Sequence, residues 1–568
     1  MTDSEATRKT KLTILRDRLE VNDGPGGKST AFINNDIVPL EPARRLWGPV
    51  SFAGFWLVCS VNISNWTMGS ALISLGPNVR QCVAAIIVGN IIVGIGVVLT
   101  GAPGAKWHIP FAVTCRSTWG MWGSFFPLAN RQILSFTWSA CQSYFGARCV
   151  RILIGSMVPS FYKWSQPLAG GTLDSATLVS FVIFVLLQMP LLLVRPQHYR
   201  NPFLYFSGAV SLLCVVMLTW AMAKAGGAGA LVRDSSAISG VTQVHGTKLS
   251  WAMLYAVNTV IGSICAGMLN QSDYSRYARK PYDQVWAQAL AIPLSRTFCG
   301  TIGIIVTSCA AQWWPDKGLL WMPPDLLEQI QANDNVGKTR LAVFLAALVF
   351  LSSQLGINVA DNLTASGIDL ASMFPRWMTI RRGAYFTALV SVLIQPWQLL
   401  NGSSVYLSVM GSYGVFLGPL TGLLIADYHV VRQRKLKLSH LYEATPETTY
   451  SFFCGFNPRA LLAWVLGVLP AFPGFVHNVS HKGDFTNYNV GWSRLFHFCW
   501  LIGLTISAFV FTALCYVWPP QGLGHVDDYD VFGTFGQAEA ARGSGEKESP
   551  DEKGAKEGSQ QVTVVELV

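Results

Sequence analysis

Apolar residues recur along this chain in runs of about 20, beginning near residue 52 and ending near residue 518. A helix of that length rises ~30 Å, which is the thickness of the hydrocarbon core of a bilayer. The runs therefore predict an all-α polytopic membrane protein with twelve transmembrane helices. The spans fall near 52–75, 80–101, 130–156, 173–194, 203–223, 251–270, 284–311, 341–365, 383–399, 403–431, 459–479 and 494–518.

The segments that flank the spans are polar. Residues 1–51 carry mixed charge without a secretory signal, and residues 519–568 are rich in Gly, Ser, Lys and Glu. The pattern predicts an N-terminal tail over 1–51, a twelve-helix domain over 52–518 and a C-terminal tail over 519–568. Low hydrophobicity predicts that the C-terminal tail is disordered.

Composition and charge exclude several classes of protein. Only 13% of the 568 residues are charged, against about 25% in soluble proteins, which excludes a soluble enzyme and a disordered scaffold. The formal net charge is +10, but its excess lies in the loops of the membrane domain. Such loops indicate membrane orientation, so we expect the lipid bilayer as a partner and no nucleic acid. The twelve cysteines form no CxxC pair or Cys/His cluster, so no metal site is predicted.

Basic residues predict the orientation of the chain. An even number of spans places both termini on one side, and short loops rich in Lys and Arg face the cytosol. We therefore expect cytosolic tails on a plasma-membrane protein. The lysines of the C-terminal tail suit ubiquitin ligation, and a solvated tail without function is the alternative. The basic loops contain Arg195 and Arg200; Arg276, Arg279 and Lys280; Arg376, Arg381 and Arg382; and Arg432, Arg434, Lys435 and Lys437.

Three of the predicted spans are too polar to face lipid throughout. The first carries Cys-Ser-Val-Asn-Ile-Ser-Asn-Trp-Thr over 59–67, and the sixth is interrupted by Gly262, Ser263 and Gly267. The eighth carries several amides and Asp361. Such groups cost several kcal/mol in hydrocarbon unless they face protein or water. Polar, glycine-interrupted helices at matching places in two halves indicate an inverted-repeat transporter with a site near the midplane.

Trp138 and Gln142 lie four residues apart in the third span and therefore share a helix face. An indole offers a stacking plane, and an amide offers a donor and an acceptor to the N–H and C=O edge of a flat heterocycle. The alternative is an interfacial Trp beside a Gln that bonds a neighbouring helix.

The eighth span repeats this spacing with Asn358 and Asn362, and Asp361 lies on much the same side. Two amides and a carboxyl can bind a polar ligand or carry a proton, and interhelical hydrogen bonding is the alternative. Asp361 is the most deeply placed acid, whereas Asp273 and Asp369 sit at span ends where caps and Arg pairs explain them. Catalytic arrangements and phosphate loops are absent from the sequence, so an enzyme is not predicted.

Several motifs resemble the nucleobase–cation symporter family one. They comprise Arg-Arg-Leu-Trp-Gly-Pro over 44–49, the first-span asparagines, the Trp138–Gln142 pair and Asn-Gln-Ser-Asp-Tyr-Ser-Arg-Tyr over 270–277. Tyr-Gly-Val-Phe-Leu-Gly-Pro over 413–419 and Asn-Pro-Arg-Ala over 457–460 are similar to the fungal uracil, allantoin, uridine and thiamine permease branch. The resemblance covers about residues 35–480. It implies a leucine-transporter-type fold with two inverted five-helix repeats and two further C-terminal helices.

The resemblance also implies roles for individual residues. The substrate ring stacks on Trp138 and is held by Gln142. Asn362, with Asn358 one turn earlier, binds it from the eighth span, and the first span contributes Asn62 or, as the alternative, Asn65. A sixth-span position that is often aromatic in the family falls at Ser263 or Ile264. The tenth span of the family is a gate, which places Met410, Tyr413 and Phe416 near the access path.

The family pattern bears on ion coupling as well. Sodium-coupled members carry two hydroxyl residues where Gly356 and Ile357 stand here. The expected coupling ion is therefore H⁺ rather than Na⁺, with Asp361 as the candidate for proton coupling and no cofactor. The alternative role of Asp361 is to neutralise the charge of a cationic ligand such as thiamine or nicotinamide riboside.

These observations give one hypothesis and two alternatives. The hypothesis is a secondary active transporter that imports a nucleobase, nucleoside, allantoin-like ureide or related heterocyclic vitamin with protons. One alternative is a permease for a cationic vitamin, thiamine or nicotinamide riboside. The other is a nutrient sensor that binds its solute without transporting it.

Overall fold

A computed structural model describes residues 20–21, 29–194, 200–232, 234–238, 241–481, 483–485 and 487–535. The first half of the described chain contains α1 (Pro49–Ser60), α2 (Ile63–Ala71), α3 (Val79–Trp107), α4 (Phe111–Trp119), α5 (Phe125–Met157), α6 (Ser160–Lys163), α7 (Ser175–Gln188), α8 (Arg200–Ala225), α9 (Gly246–Gly262), α10 (Cys265–Leu269), α11 (Ser272–Ser275) and α12 (Asp283–Trp313). Two short antiparallel strands, β1 (Pro167–Leu168) and β2 (Leu173–Asp174), pair between α6 and α7.

The second half is also helical. It contains α13 (Pro323–Asn333), α14 (Gly337–Ile357), α15 (Ala365–Met373), α16 (Ile380–Leu393), α17 (Pro396–Leu399), α18 (Ser403–Ser412), α19 (Gly414–Ile425), α20 (Pro458–Val468), α21 (Phe472–Ser480), α22 (Val490–Phe496) and α23 (Cys499–Val517). Two π-helical segments, Asn358–Thr364 and Ala426–Val431, follow α14 and α19. The long helix α12 packs along α3, α1 and α2, and α5 packs along α14 and α7.

Seven helices in the described part of the chain are long and apolar enough to cross a membrane. They are Val79–Trp107, Ser175–Leu193, Tyr205–Ala225, Asp283–Trp313, Gly337–Met373, Ser403–Val431 and Cys499–Val517, and the pair Pro458–Val468 and Phe472–Ser480, bent by 57°, adds an eighth. The prediction of an all-α membrane protein is confirmed. The other four predicted spans, near 52–75, 130–156, 251–270 and 383–399, lie on broken, shorter or more polar helices, so their crossing stays a prediction.

The first predicted span is broken between α1 and α2. Val61 (φ −97°, ψ 85°) and Asn62 (φ −156°, ψ 174°) leave the helical region, and the Asn62 side chain caps α2 by accepting the backbone N–H of Asn65 at 3.0 Å. The carbonyls at the break have partners on other helices. Ser353 donates to the Val61 carbonyl, and the Cys299 thiol donates to the Asn62 carbonyl at 3.4 Å. Irregular backbone is tolerated at this depth because its polar groups are bonded within the protein.

The sixth predicted span is broken between α9 and α10 in the same way. Ser263 is the C-cap residue of α9, and Ile264 adopts φ −134° and ψ 0° before α10 begins. Just before this break, α9 runs against α18. A Cβ atom on Gly262 would lie 2.1 Å from the Met410 carbonyl oxygen, so only glycine permits this approach.

Replacing Gly262 with alanine is therefore expected to separate α9 from α18 and destabilise the protein. Overpacking of this kind costs about 1–3 kcal/mol. The readout is the thermal midpoint of detergent-solubilised protein followed by size-exclusion fluorescence. The control is Gly208→Ala on α8, where a Cβ meets nothing within 4 Å. Equal midpoints for the two variants would show that the contact at Gly262 is not limiting.

The segment that follows α23 packs on the loop after the second π-helical segment and on the end of α3. The backbone N–H of Ser439 donates to Asp527 at 3.0 Å, and the Phe532 ring packs edge-on against Tyr442. Phe535 packs edge-on against Trp107 at the end of α3. Disorder was predicted from residue 519 onward, but residues 519–535 are packed in this way, because aromatic side chains in an otherwise polar stretch find apolar partners. Residues 536–568 lie outside the described ranges.

Candidate functional site

A small enclosed cavity lies where the interrupted helices meet α5, α12 and α18. Its volume is about 40 Å³, whereas ligand pockets typically measure roughly 300–1,000 Å³. The walls are therefore contracted around the site and must separate to admit a ring. The lining residues are Cys59, Asn62, Ser64, Asn65, Arg131, Ser135, Trp138, Gln142, Ser263, Ile264, Ala266, Gly267, Arg296, Ile357, Asp361, Asn362 and Tyr406.

Helix α5 supplies one wall through Trp138 and Gln142, which face the cavity together. The indole N–H of Trp138 donates to the Tyr413 hydroxyl at 3.1 Å, which fixes the plane of the ring. Gln142 donates to the Ser64 hydroxyl at 2.8 Å and accepts from the Gln354 amide at 2.7 Å. Both functions of the Gln142 amide are thus engaged by side chains that the edge of a bound heterocycle can replace.

The break between α1 and α2 supplies Asn62 and Asn65, the two first-span alternatives. Both polar groups of the Asn62 side chain bond to the backbone at the break. Its oxygen caps α2, and its nitrogen donates to the Cys59 carbonyl at 2.9 Å. Asn65 donates to the backbone carbonyl of Arg296 at 2.8 Å. The side-chain oxygen of Asn65 has no hydrogen-bond partner among the described residues. Asn65 therefore holds the uncommitted acceptor of the two.

The π-helical segment Asn358–Thr364, which packs against α5, supplies a second wall through Asp361 and Asn362. A π-helical turn is wider than an α-helical turn, so it changes the direction of the side chains and frees backbone carbonyls, and it is frequent at functional sites. The freed carbonyls are bonded here. Thr364 donates to the Val359 carbonyl at 2.7 Å, and the Tyr274 hydroxyl donates to the Ala360 carbonyl.

This wider turn separates three residues that the sequence placed on one side. Asp361 and Asn362 line the cavity, whereas Asn358 points toward α5 and α7 and lies outside the lining. Asn358 donates to Ser143 at 3.0 Å and to Gln188 at 2.9 Å, and it accepts from Asn362 at 3.2 Å. Asn358 therefore positions Asn362 and does not reach the cavity.

Two buried arginines also line the cavity, and neither was singled out from the sequence. Arg131 on α5 is 2% exposed and pairs with Asp369 at 2.7 Å and, more weakly, with Asp273 at 3.9 Å. Arg296 on α12 donates to Asn90 at 2.9 Å and to Ser263 at 2.7 Å. Both arginines fall inside predicted spans, and a charge at such a position is itself a signal of function.

The sequence predicts that an arginine pairs with Asp369, and the structure shows this partner to be Arg131. Removing the arginine is therefore expected to destabilise the protein. Arg131→Gln leaves the Asp369 carboxylate fully buried without its ion-pair partner, and breaking such a pair costs about 3–5 kcal/mol. The thermal midpoint of Arg131→Gln is expected to fall well below that of the unaltered protein. Adding Asp369→Asn removes the stranded charge and should restore part of the loss. A double variant that is less stable than Arg131→Gln would contradict this assignment.

Ion pairs flank the cavity on both sides along α5. Arg131 lies seven residues before Trp138, which is about 10 Å along the helix axis. On the other side, Arg148 pairs with Asp325 at 2.7 Å, and Arg151 pairs with Glu328 at 2.7 Å. The cavity is thus bracketed by two charged layers, the second of which ties α5 to α13.

The three predicted gate residues lie at different distances from the cavity. Tyr413 touches the site through its hydrogen bond to Trp138, and its hydroxyl donates to the Met410 sulfur at 3.3 Å. Phe416 packs on Trp464 and Phe475 away from the cavity. Tyr406, on the same helix as Met410, lines the cavity and donates to the Ser64 carbonyl, although the sequence did not mark it.

Metal-binding clusters of three or more His, Cys, Asp or Glu are absent from the described ranges. The polar groups that line the cavity are instead amides, hydroxyls, two guanidinium groups and one carboxyl. Such a set can hold a small polar ring by hydrogen bonds while an indole covers its face.

Comparison with known proteins identifies the chain. A family described as permease for cytosine/purines, uracil, thiamine and allantoin matches residues 39–503. The chain belongs to this permease family. Transporter aclS of Aspergillus oryzae is 29% identical over 96% of both chains, and allantoin permease of Saccharomyces cerevisiae is 32% identical over 87% of this chain and 77% of its own length. The resemblance to nucleobase–cation symporters is therefore confirmed.

Solved structures place the permease in a known fold. The structure of Mhp1, a nucleobase-cation-symport-1 family transporter in a closed conformation with bromovinylhydantoin bound, aligns with a TM-score of 0.68. It is 20% identical, and the alignment covers 90% of this chain and 99% of Mhp1. The chain is a multi-pass membrane transporter with this fold, and it is not an enzyme.

Proposed function

We propose that this permease is a proton symporter that imports a flat heterocycle carrying ring N–H and C=O groups across the plasma membrane. The observation that carries the proposal is the cavity at the two helix breaks. The Trp138 indole, the Gln142 and Asn362 amides and the Asp361 carboxyl all line it. Nucleobases, nucleosides and allantoin-like ureides present the flat faces and polar edges that such a site can hold.

The contracted cavity indicates how binding proceeds. The amides that would read the substrate are bonded to one another and to nearby hydroxyls, as in the Gln142–Gln354 and Asn362–Asn358 pairs. A substrate edge offers Gln142 and Asn362 a partner in place of Gln354 and Asn358, so the amides that read the substrate stay hydrogen-bonded. The site therefore discriminates by the geometry of the ring edge, because an analogue without matching groups leaves several amides unsatisfied.

The proposal includes twelve spans with two inverted repeats of five helices and cytosolic tails. Its support is that the two broken helices begin the predicted repeats, and the charged layers around Arg131 and Arg148 lie on opposite sides of the cavity. Opening one layer while the other stays closed exposes the site to one side of the membrane at a time. The lysines of the C-terminal tail, beyond the described residues, are proposed targets of ubiquitin ligation.

Asp361 is the proposed proton carrier. Its carboxyl lines the cavity and forms no hydrogen bond or direct ion pair with the described residues. A proton on this carboxyl is therefore accessible from the cavity and is not locked in a structural pair. Side-chain oxygens suited to Na⁺ are lacking at Gly356 and Ile357, which favours H⁺.

Uptake of radiolabelled solutes tests the function directly. Cells that lack their own heterocycle permeases would express the chain, with empty-vector cells as the control. Uracil, uridine, allantoin, cytosine, thiamine and nicotinamide riboside form the screen, at acidic and neutral external pH. We expect concentrative uptake of at least one solute, faster at acidic pH. Saturable surface binding without accumulation would indicate a sensor, and preferred uptake of thiamine or nicotinamide riboside would indicate a cation permease.

A further inference from the structure

The guanidinium of Arg296 stands out among the charged groups of the described chain. Arg296 is 3% exposed and lies midway along α12, inside the predicted seventh span. Its Nε donates to Asn90 and its Nη2 donates to Ser263, which holds the group in one orientation at the cavity wall. Its Nη1 makes no hydrogen bond, and the guanidinium makes no direct ion pair, with any described residue.

A buried guanidinium without a direct counterion is costly, because transfer of a charge out of water costs several kcal/mol per ion. The other arginine of the cavity avoids this cost, since Arg131 pairs with Asp369 at 2.7 Å. Arg296 also cannot lose its charge, because an arginine remains protonated in proteins. A group that is fixed, charged and only partly satisfied is suited to donate to a ligand oxygen in the cavity.

The carboxyl of Asp361 lines the same cavity and complements Arg296 in its hydrogen bonding. Asp361 is within electrostatic range of both Arg296 and Arg131 but bonds neither. When ionised it only accepts hydrogen bonds, whereas Arg296 only donates them. Arg131 has direct counterions in Asp369 and Asp273, so Arg296 and Asp361 are the two charged groups of the cavity lining that have no direct ion-pair partner among the described residues.

We propose that Arg296 determines substrate specificity by donating a charge-assisted hydrogen bond to a ring carbonyl oxygen, while Asp361 faces the adjacent N–H. This inference rests on the proposed function and deepens it. It names the substrate class as a neutral cyclic imide, in which a ring N–H lies between two carbonyls. It assigns Ser263, which accepts from Arg296, as a positioning residue and not a substrate ligand.

Substrates that differ from this class at one edge are expected to bind poorly. An amino group in place of one imide carbonyl also removes the ring N–H beside it. Such a ring turns a donor toward Arg296 and an unprotonated nitrogen toward Asp361, which a site built for the opposite pattern strongly rejects. A cationic ring meets the guanidinium charge at close range and is rejected as well. Uracil and allantoin are therefore favoured over cytosine and thiamine in this cavity.

Ligand-induced thermal stabilisation of the purified, full-length protein tests the proposal without requiring transport. The probes are uracil and allantoin as carbonyl ligands, cytosine as the amino analogue and thiamine as the cation. In the unaltered protein we expect at least one carbonyl probe to bind about 10- to 100-fold more tightly than cytosine, which is the effect of one charge-assisted hydrogen bond. In Arg296→Gln the carbonyl probe should weaken by that factor while cytosine changes little. Arg296→Lys, which keeps a charged donor, should retain part of the preference.

Two further variants separate recognition from general damage. Ser263→Ala removes one bond to the guanidinium and should reduce the carbonyl preference less than Arg296→Gln does. Arg459→Gln is the matched control, because Arg459 is also buried but lies beside Asn457, away from the cavity. It should leave the ratio of affinities unchanged.

The outcomes distinguish this inference from the proposed function. Equal weakening of carbonyl and amino probes in Arg296→Gln, with the control unaffected, would make Arg296 a structural residue and overturn the inference alone. Tighter binding of thiamine than of the carbonyl probes would overturn it as well, while leaving a permease. An unaltered protein that neither binds nor accumulates any of the probes would overturn the proposed function and the inference with it.

Discussion

Trp138→Ala is expected to abolish substrate uptake while the variant still reaches the cell surface. The indole lines the cavity, is 9% exposed and is fixed by the Tyr413 hydroxyl, so a ring can stack on it with little loss of side-chain entropy. Stacking of a base on an aromatic side chain is worth about 1–3 kcal/mol by alanine replacement, or about 5- to 150-fold in affinity. Without the indole, the substrate ring is also no longer held in the orientation in which its edge meets the amides.

The measurement is initial-rate uptake over a range of substrate concentrations, normalised to surface protein. Trp138→Phe keeps an aromatic plane and should retain measurable uptake at reduced affinity. Tyr413→Phe removes the acceptor of the indole N–H and should lower affinity less than the alanine variant does. Uptake by Trp138→Ala with unchanged affinity would refute the stacking role.

Asp361→Asn is expected to remove the dependence of uptake on external pH while substrate still binds. The substitution keeps the shape of the side chain and removes the proton site, and the side chain has no structural partner to lose among the described residues. A carrier that must be protonated to load is favoured at acidic pH, so uptake by the unaltered protein should rise as pH falls. The variant should instead show a flat pH profile and no concentrative accumulation.

Three readouts are needed to interpret this variant. Uptake is measured between pH 4.5 and pH 7.5, substrate-induced acidification of the cells is recorded, and binding is followed by thermal stabilisation. An unchanged pH profile with unchanged accumulation would exclude Asp361 as the proton carrier. Loss of thiamine binding, with uracil binding intact, would instead show that the carboxyl neutralises a cationic ligand.

Helix breaks and short-range spacing in the site could be predicted from the sequence. Polar residues over 59–67 and the glycines around Ser263 marked the two interrupted helices, because such groups are not stable against lipid. The four-residue spacing of Trp138 and Gln142 placed both on one face of a regular helix, and the structure brings both to the cavity. Patterns of this kind depend only on local geometry.

Features that depend on irregular backbone or tertiary pairing could not be predicted. The π-helical turn directs Asn358 away from the cavity that Asp361 and Asn362 line, which an α-helical spacing cannot indicate. The partner of Arg131 comes from residue 369, more than 200 positions later in the chain. Phe416 lies only three residues after Tyr413, but its ring packs against a separate apolar cluster. In these cases the contacts that decide the outcome come from distant segments.

A cryo-EM structure with the transported solute bound would test the central claim most directly. The proposal predicts density for a ring lying parallel to the Trp138 indole, with its polar edge within hydrogen-bonding distance of Gln142 and Arg296. It also predicts that the cavity widens as the Gln142–Gln354 bond opens. A solute bound at the lipid-facing surface, or one that leaves the Trp138 ring uncovered, would contradict the proposal.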